Sequence, residues 1–306
     1  MSSEAIINKY RPATFDEVIG NEVQIASLRD AVTGGTCPHG FLFSGPSGIG
    51  KTTLARIIAK NLEAAVDEID AATNSGVDAT RALVELSGYM PLASNKKLLI
   101  IDECHAISKQ AWQPLLKLIE EPPDYLYIAL CTTELSKVPE TIRTRCFHTP
   151  LKNCKPNDID SLLTVVCECE GWQIPDDVMG AIIQASTGQP RKALSILQAG
   201  HLCQTREDLA QVVAQVETED SPVTKLMQFL VSGGKDWTKV SEWLAGIDDG
   251  DEAFAVGTRY LMAIMAKSKE PQAQAAHRVL DALLFPRSGY DRKAQFFAAV
   301  GGFLWS

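Results

Sequence analysis

The chain has 306 residues and a mass of 33.3 kDa, and 29 Lys and Arg against 38 Asp and Glu give it a net charge of −9. This length predicts two or three domains, and a composition of 45% hydrophobic and 22% charged residues argues against extensive disorder. The acidity is unlike the basic surface typical of nucleic-acid-binding proteins, and no apolar run approaches the ~20 residues of a membrane span. The first residues also lack the pattern of a secretory signal. We therefore expect no membrane association and a cytoplasmic location, in a bacterium or a phage-infected host.

The first half of the chain alternates short apolar runs with helical patterns. Strands are predicted at residues 40–44, 68–71, 97–101, 125–131 and 146–151, and helices at residues 52–64, at 77–87 and up to 120. Continuous apolar strands separated by helices are typical of a parallel sheet that is covered on both faces. Residues 1–152 are therefore predicted to form an α/β nucleotide-binding domain.

A complete G-x-x-x-x-G-K-T phosphate loop stands between the first predicted strand and its helix, with the residues Gly45, Pro46, Ser47, Gly48, Ile49, Gly50, Lys51 and Thr52. Such a loop turns backbone N–H groups towards phosphates, and the helix N-terminus adds its positive dipole end. Lys51 is expected to neutralise the β- and γ-phosphates, the Thr52 hydroxyl to bind Mg²⁺, and Thr53 to complete the loop. A fortuitous glycine-rich turn is the alternative.

An acidic pair, Asp102 and Glu103, ends the third predicted strand. A carboxylate at that strand end, beside the phosphate loop, suits Asp102 to bind Mg²⁺, and Glu103 can then polarise an attacking water. A solvated acidic strand end is the alternative. The loop and the acidic pair together predict hydrolysis of a nucleoside triphosphate.

The cysteines and histidines give no metal-binding pattern. None of the eight cysteines forms a C-x-x-C pair, which argues against a zinc site, and we interpret them as reduced thiols. The five histidines form no ligand cluster, and His105, which closely follows the acidic pair, is the only one of interest.

From about residue 157 the apolar residues recur at helical spacing, so the rest of the chain is predicted to be helical. The polar stretch at residues 216–222 ends in a proline and resembles a linker. We therefore predict a small helical domain at residues 153–219 and a second helical domain at residues 220–306. The first 219 residues carry all of the net negative charge, since residues 220–306 hold ten basic and ten acidic residues.

Further motifs carry a resemblance to a known family. In chain order they are Lys9 to Pro12, Phe15 to Gly20, the phosphate loop, Glu68 to Ala72, Asp102 to His105, Leu115 to Lys117, Glu120 to Pro123, Cys131 to Glu134, Thr144 to Cys146 and Gly188 to Arg191. Together they resemble AAA+ clamp-loader ATPases over about residues 7–200. The resemblance implies an α/β fold, with an AAA+ P-loop parallel-sheet domain, a small helical lid domain and a C-terminal helical collar domain that holds a ring of subunits together.

The resemblance also implies a function and its partners. It implies an ATP-hydrolysing, Mg²⁺-dependent subunit of a DNA replication clamp loader, which opens a sliding clamp and loads it onto primer–template DNA. The expected partners are the clamp, the DNA and other clamp-loader subunits in a pentameric ring. Phosphate contacts need only a few lysines from each subunit when several subunits surround the DNA. Assembly is therefore expected to compensate for the acidic net charge.

Three residues match catalytic positions of the family. Thr133 matches sensor 1 and Arg191 matches sensor 2 on the lid. Arg145 matches the arginine finger, which acts on the ATP of a neighbouring subunit. Without the resemblance, Arg145 would be interpreted as a surface arginine.

Other matches concern binding. The segment that packs around the adenine is matched by Tyr10, Arg11, Pro12, Val18 and Ile19, and the positions that contact DNA are matched by Gln113, Lys117 and Lys137. The apolar tip that docks on the clamp is matched by Tyr89, Met90 and Leu92. Considered singly, each lysine is more typical of a solvated side chain, and the tip is equally consistent with a buried turn.

The chain departs from the family pattern in four places. Bacterial members carry a cysteine-rich zinc module after the phosphate-loop helix, but here residues 62–67 continue directly into the next strand, so no zinc is expected. Thr144 replaces a serine in the finger motif, and residues 74–76 lack the basic residues of bacterial members. Pro114 lies inside a predicted helix and should kink it or move its start. The compact, zinc-free plan resembles phage loaders and replication factor C small subunits more than bacterial members.

Two other functions remain open from the sequence. One is an ATP-binding structural subunit whose hydrolysis is irrelevant. The other is a different AAA+ DNA remodeller, such as a branch-migration motor or a helicase loader.

Overall fold

The structure is a computed structural model that describes residues 5–35, 37–72, 89–90, 94–108, 110–247, 250–267, 270–284 and 291–305. The helix predicted at residues 77–87 lies outside this range, as does Leu92 of the predicted clamp-binding tip. The chain divides into two compact units, residues 1–209 and 210–306.

The first unit is built on a five-stranded parallel sheet. Its strands are β1 (Gly40–Ser44), β2 (Ala65–Asp70), β3 (Lys97–Asp102), β4 (Leu126–Thr132) and β5 (Phe147–Pro150). They pair in the order β2-β3-β4-β1-β5, and every pair is parallel. The three central strands β3, β4 and β1 are buried almost throughout, as their continuous apolar sequences require. The predicted parallel-sheet fold is confirmed.

Helices cover this sheet and continue into a helical subdomain. The described helices up to residue 200 are α1 (Ile6–Lys9), α2 (Glu22–Thr33), α3 (Lys51–Leu62), α4 (Trp112–Glu120), α5 (Glu140–Arg143), α6 (Pro156–Glu170), α7 (Asp176–Ser186) and α8 (Pro190–Gly200). Short 3₁₀ turns lie at Phe15–Glu17, Cys104–Ala106 and Leu135–Lys137. Helix α3 is amphipathic and buries Leu54, Ile57 and Ile58. Helices α6 to α8 pack on one another and begin where helical spacing appears in the sequence.

Pro114 acts by fixing the start of helix α4. The chain leaves β3 through the 3₁₀ turn Cys104–Ala106, and α4 begins only at Trp112, so Pro114 is its third residue. The first N–H groups of a helix have no partner within the helix, so a proline there costs no hydrogen bond. Of the two expected effects of Pro114, the structure shows the displaced start.

The predicted linker at residues 216–222 is wrong. Helix α9 (Arg206–Asp220) continues through this polar stretch, and α10 (Pro222–Val231) begins two residues later. Pro222 is the first residue of α10, where its missing N–H and fixed φ suit a helix start, and the Ser221 hydroxyl caps the helix by accepting from Thr224 N. The proline therefore marks a helix start, which polar composition alone does not distinguish from a loop.

The second unit is helical and has its own core. After α10 come α11 (Trp237–Ala245), α12 (Gly250–Lys267), α13 (Glu270–Leu284) and α14 (Arg292–Leu304). Its core includes Leu226, Met227, Leu261 and Phe296, all fully buried, and the ring of Phe254 packs edge-on against Phe296 at 5.2 Å. Among the helices that the structure describes, none combines the length and the apolarity that crossing a membrane requires.

A close backbone contact joins the loop before α8 to the segment after β5. Gly188 has a φ of +77°, and its carbonyl accepts a hydrogen bond of 2.8 Å from Cys154 N. A Cβ at residue 188 would lie 2.4 Å from the Cys154 carbonyl oxygen, whereas one at Gly171, with a φ of +69°, would meet nothing within 4 Å. Of these two glycines, Gly188 alone combines a left-handed backbone with a lack of space.

We expect Gly188→Ala to destabilise the protein more than Gly171→Ala. The control variant incurs only the left-handed backbone cost of about 1–2 kcal/mol, whereas Gly188→Ala must also move backbone atoms, at a further cost of about 1–3 kcal/mol. Thermal unfolding of the full chain, followed by circular dichroism, measures the two midpoints. Equal midpoints for the two variants would contradict the close packing at Gly188.

Candidate nucleotide-binding site

The phosphate loop connects β1 to α3 through glycines in conformations that other residues avoid. Gly45 and Gly50 have φ values of +150° and +107°. A Cβ at Gly45 would lie 2.5 Å from the carbonyl oxygen of Leu151, so only glycine fits at that point. The loop is thereby held at the carboxyl end of the sheet, with the N-terminus of α3 directed into it.

Lys51 is a buried cation inside this loop. Its residue is 6% exposed, and Nζ donates hydrogen bonds of 2.9 Å to the carbonyl oxygens of Gly45 and Pro46. Burial lowers the pKa of Lys51, because the low-dielectric surroundings disfavour the charged form, and the nearby Glu103 opposes this shift. An ammonium group that has lost water in this way binds an incoming phosphate strongly.

Thr52 and Asp102, which the sequence predicts to bind Mg²⁺, contact each other. Thr52 Oγ1 donates a hydrogen bond of 2.7 Å to Asp102 Oδ2, and Asp102 Oδ1 accepts one of 3.0 Å from Glu103 N. A hydroxyl and a carboxylate are hard oxygen donors, which suit Mg²⁺ when phosphate oxygens and water complete its shell. Within the described part of the chain, no cluster of three or more His, Cys, Asp or Glu residues could hold a metal ion.

Glu103 stands next to this pair and contacts Thr133. Its backbone has a φ of +46°, and it precedes the 3₁₀ turn Cys104–Ala106. Thr133 Oγ1 donates a weak hydrogen bond of 3.3 Å to Glu103 Oε2, and His105 Nδ1 lies 3.3 Å from the same oxygen. The structure thus brings the predicted water-polarising carboxylate and the predicted sensor 1 together.

One pocket unites the phosphate loop with the predicted adenine segment. It is lined by loop residues 47–53, by Asp102 and Glu103, and by Tyr10, Arg11, Pro12, Val18 and Ile19. Arg191 also lines it from the first turn of α8, and its N–H donates to the Gly48 carbonyl at 3.3 Å. The predicted sensor 2 therefore contacts the phosphate loop directly.

Sequence reasoning missed several residues of the pocket. Arg56 and Glu68 line it and form an ion pair, in which Arg56 Nε and Nη2 donate to Glu68 Oε2 at 2.9 and 2.7 Å. Ile7, Leu162 and Leu194 supply apolar lining. Helical spacing marks the two leucines only as apolar, and the sequence has no signal that relates them to the loop.

Glu170 is a further missed residue, and it ties the N-terminal segment to α6. The Tyr10 hydroxyl and Lys9 Nζ both donate to Glu170 Oε1, each at 2.6 Å. Burial and the hydrogen bond to Glu170 raise the pKa of Tyr10 to about 12, so its hydroxyl remains a donor at neutral pH. The Tyr10 ring is thereby fixed at the wall of the pocket.

The remaining predicted residues lie outside this pocket. Arg145 Nε contacts Glu120 Oε1 at 2.8 Å, and its Nη1 donates to the Thr141 carbonyl. Gln113 and Lys117 are exposed one turn apart on α4, and Lys137 pairs with Glu134 at 2.7 Å. The predicted clamp-binding side chains of Tyr89 and Met90 are exposed by 70% and 55%.

Comparisons of sequence place the chain beside bacterial replication proteins. Residues 63–155 match the family described as "DNA polymerase III, delta subunit". The chain is 39% identical over 219 residues to DNA polymerase III subunit gamma/tau of Mycobacterium tuberculosis, covering 63% of this chain and 38% of the relative. It is 31% identical over 234 residues to DNA polymerase III subunit gamma of Buchnera aphidicola, covering 68% and 64%. The chain therefore spans less than two thirds of the length of these relatives, and the resemblance to clamp-loader subunits is confirmed.

Comparison of structures confirms the fold. The RuvB Holliday junction branch migration motor of Thermotoga maritima aligns with a TM-score of 0.57 and 20% sequence identity, covering 86% of this chain and 94% of that one. At this identity the likeness shows the AAA+ fold alone.

We expect Lys51→Met to weaken ATP binding at least about 100-fold, or about 2.7 kcal/mol, because it removes a buried ammonium from the phosphate loop. Lys60→Met is the matched control, since Lys60 is an exposed lysine in the last turn of the same helix. Titration with a fluorescent ATP analogue measures both affinities. Wild-type affinity in Lys51→Met would contradict the assignment of this pocket to the nucleotide.

Proposed function

We propose that the chain is the ATP-hydrolysing subunit of a DNA replication clamp loader, which opens a sliding clamp and places it on primer–template DNA. The observation that carries this proposal is the grouping of Lys51, Thr52, Asp102, Glu103 and Thr133 at one end of the sheet. The similarity to gamma and gamma/tau subunits of DNA polymerase III favours clamp loading as the process that ATP hydrolysis by this chain would serve.

Each residue of the site has a role in phosphoryl transfer to water. Lys51 exchanges its two loop carbonyls for the β- and γ-phosphates, and Thr52 and Asp102 would hold Mg²⁺, which supplies charge neutralisation at the phosphates. Glu103 orients and polarises the attacking water, while Thr133 steadies the Glu103 carboxylate. Arg191 reaches the phosphates from α8 and couples the helical lid to the nucleotide.

Arg145 completes the site of a neighbouring subunit. It lies outside the pocket of its own chain and is 41% exposed, so its charge is available to another molecule. To act there, its guanidinium would leave Glu120 for the γ-phosphate of the neighbour. A residue that acts on a neighbour requires an assembly of subunits, and in line with the family resemblance we propose that this assembly is a pentameric ring. In each subunit, residues 153–219 would form the lid domain and residues 220–306 the collar domain.

The surfaces for clamp and DNA follow from the exposed residues. The tip that contains Tyr89 and Met90 would dock on the clamp, since exposed apolar side chains of this size are typical of interaction sites. Gln113 and Lys117, on one face of α4, and Lys137 would contact DNA phosphates inside the ring. A cytoplasmic location agrees with these partners.

A branch-migration motor is the competing activity. The likeness to RuvB extends over both units, but its 20% identity supports only a shared fold. The sequence relatives at 31–39% identity favour the clamp loader instead.

We expect clamp and primer–template DNA together to raise the ATPase rate of the assembled loader, and expect Lys51→Ala and Arg145→Ala each to abolish the increase. Lys51→Ala removes phosphate neutralisation and Arg145→Ala removes the trans-acting charge, which is worth ~10³–10⁵ in rate in related reactions. Arg206→Ala is the control, since Arg206 is an exposed arginine bonded to the Asp177 carbonyl. A coupled assay of phosphate release measures the rates. Full stimulation in both variants, or unwinding of DNA without any clamp, would contradict the clamp-loader proposal.

We expect Lys117→Ala to reduce the salt dependence of DNA binding by the loader. Each phosphate contact contributes about 0.9 to the slope of log K against log salt, so the slope should fall by about 0.9 for every copy of the chain in the complex. Fluorescence anisotropy of labelled primer–template DNA at several salt concentrations gives the slope, with Lys60→Ala as the control. An unchanged slope would remove Lys117 from the DNA contacts.

A further inference from the structure

His105 lies between two carboxylates at the edge of the nucleotide site. Its Nδ1 is 3.3 Å from Glu103 Oε2, and its Nε2 is 3.4 Å from Glu134 Oε1. An imidazole with a proton on both nitrogens donates to both carboxylates, whereas a ring with one N–H donates to only one of them. The ring is therefore placed to determine where the Glu103 carboxylate points.

Among the described residues, contacts to the Glu103 carboxylate are made through one of its two oxygens. Oε2 is shared by His105 and Thr133, whereas Oε1 has no hydrogen-bond partner among the residues that the structure describes. Glu103 also lines the nucleotide pocket. With Oε2 held, Oε1 is left for a water molecule.

The far side of the imidazole is braced. Glu134 Oε1 also accepts a hydrogen bond of 2.7 Å from Lys137 Nζ, and this bond lowers the pKa of Glu134, so the carboxylate stays ionised as an acceptor. Glu134 N donates to Thr132 Oγ1, which is fully buried and lies 3.3 Å from His105 Nδ1. Rotation of the ring would therefore break contacts on both sides.

We propose that His105 is a positioning residue for ATP hydrolysis, which holds Oε2 of Glu103 so that Oε1 faces the attacking water. This inference rests on the proposed ATPase function. Without the imidazole, the carboxylate would keep only the weak contact with Thr133. A displacement of about 1 Å in a reacting group costs up to about 100-fold in rate, so loss of this support is expected to be measurable.

Three substitutions of His105 separate its two contacts. His105→Asn keeps a polar atom near the position of Nδ1, His105→Gln keeps one near Nε2, and His105→Ala keeps neither. In the assembled loader with clamp and DNA, we expect kcat to fall at least about tenfold in His105→Ala and His105→Gln, and to recover largely in His105→Asn. The affinity for a fluorescent ATP analogue should change less than about twofold, because His105 is not among the residues that line the nucleotide pocket. His277→Ala, an exposed histidine paired with Asp281, is the control.

A double-mutant cycle with Glu103→Gln tests whether His105 acts through Glu103. We expect His105→Ala to lower kcat less than about twofold in the Glu103→Gln background, because residues that act as a unit are not additive. Two results would overturn this inference and leave the proposed function standing, provided that the wild type is active. One is an unchanged kcat in His105→Ala, and the other is full additivity of the kcat losses in His105→Ala and Glu103→Gln. A wild-type loader that hydrolyses no ATP would instead overturn the proposed function and the inference with it.

Discussion

The parallel register of β1, β4 and β3 is the constraint on which the nucleotide site depends. Ser44 pairs with Thr132 and Ile101 with Leu130, so the three strands end at one level of the sheet. Thr52, the second residue of the helix after β1, can then reach Asp102 at the end of β3, although β4 lies between the two strands. The residue after β4, Thr133, reaches Glu103 at the same end of the sheet. Ligands of parallel α/β sheets bind at this carboxyl end of the strands, where the strand order reverses around β1.

Closure of the pocket depends on a second set of contacts, made by the N-terminal segment and the helical subdomain. The Tyr10 hydroxyl donates to Glu170 on α6, and Ile6 N donates to the side chain of Gln198 on α8 at 3.2 Å. Arg191 bonds from α8 to the phosphate loop. A nucleotide in this pocket would touch the sheet, the N-terminal segment and the helical subdomain together.

The pocket groups several cations together, whereas the chain as a whole is acidic. Arg11, Lys51, Arg56 and Arg191 line the pocket together with four carboxylates, Glu17, Glu68, Asp102 and Glu103, although the net charge of the protein is −9. Burial lowers the pKa of Arg11, and the neighbouring Arg56 and Arg191 add to this shift by repulsion. A triphosphate that binds among these cations relieves the repulsion between them, so the placement of the charges describes the ligand better than the net charge does.

The sequence by itself determined the parts whose cause is local. Apolar runs predicted four of the five strands to within one or two residues, because a strand buried on both faces must be apolar throughout, and the glycine pattern located the phosphate loop. The edge strand β2 begins three residues before its prediction, since its half-exposed residues, such as Val66 and Glu68, give no continuous apolar signal. The tertiary structure alone decided that Glu170 holds Tyr10, that Arg56 and Glu68 line the pocket, and that His105 joins Glu103 to Glu134. These contacts join residues on separate elements or depend on the left-handed backbone of Glu103. The sequence cannot reveal them, because a charged side chain has the same local sequence pattern whether its partner is water or a distant residue.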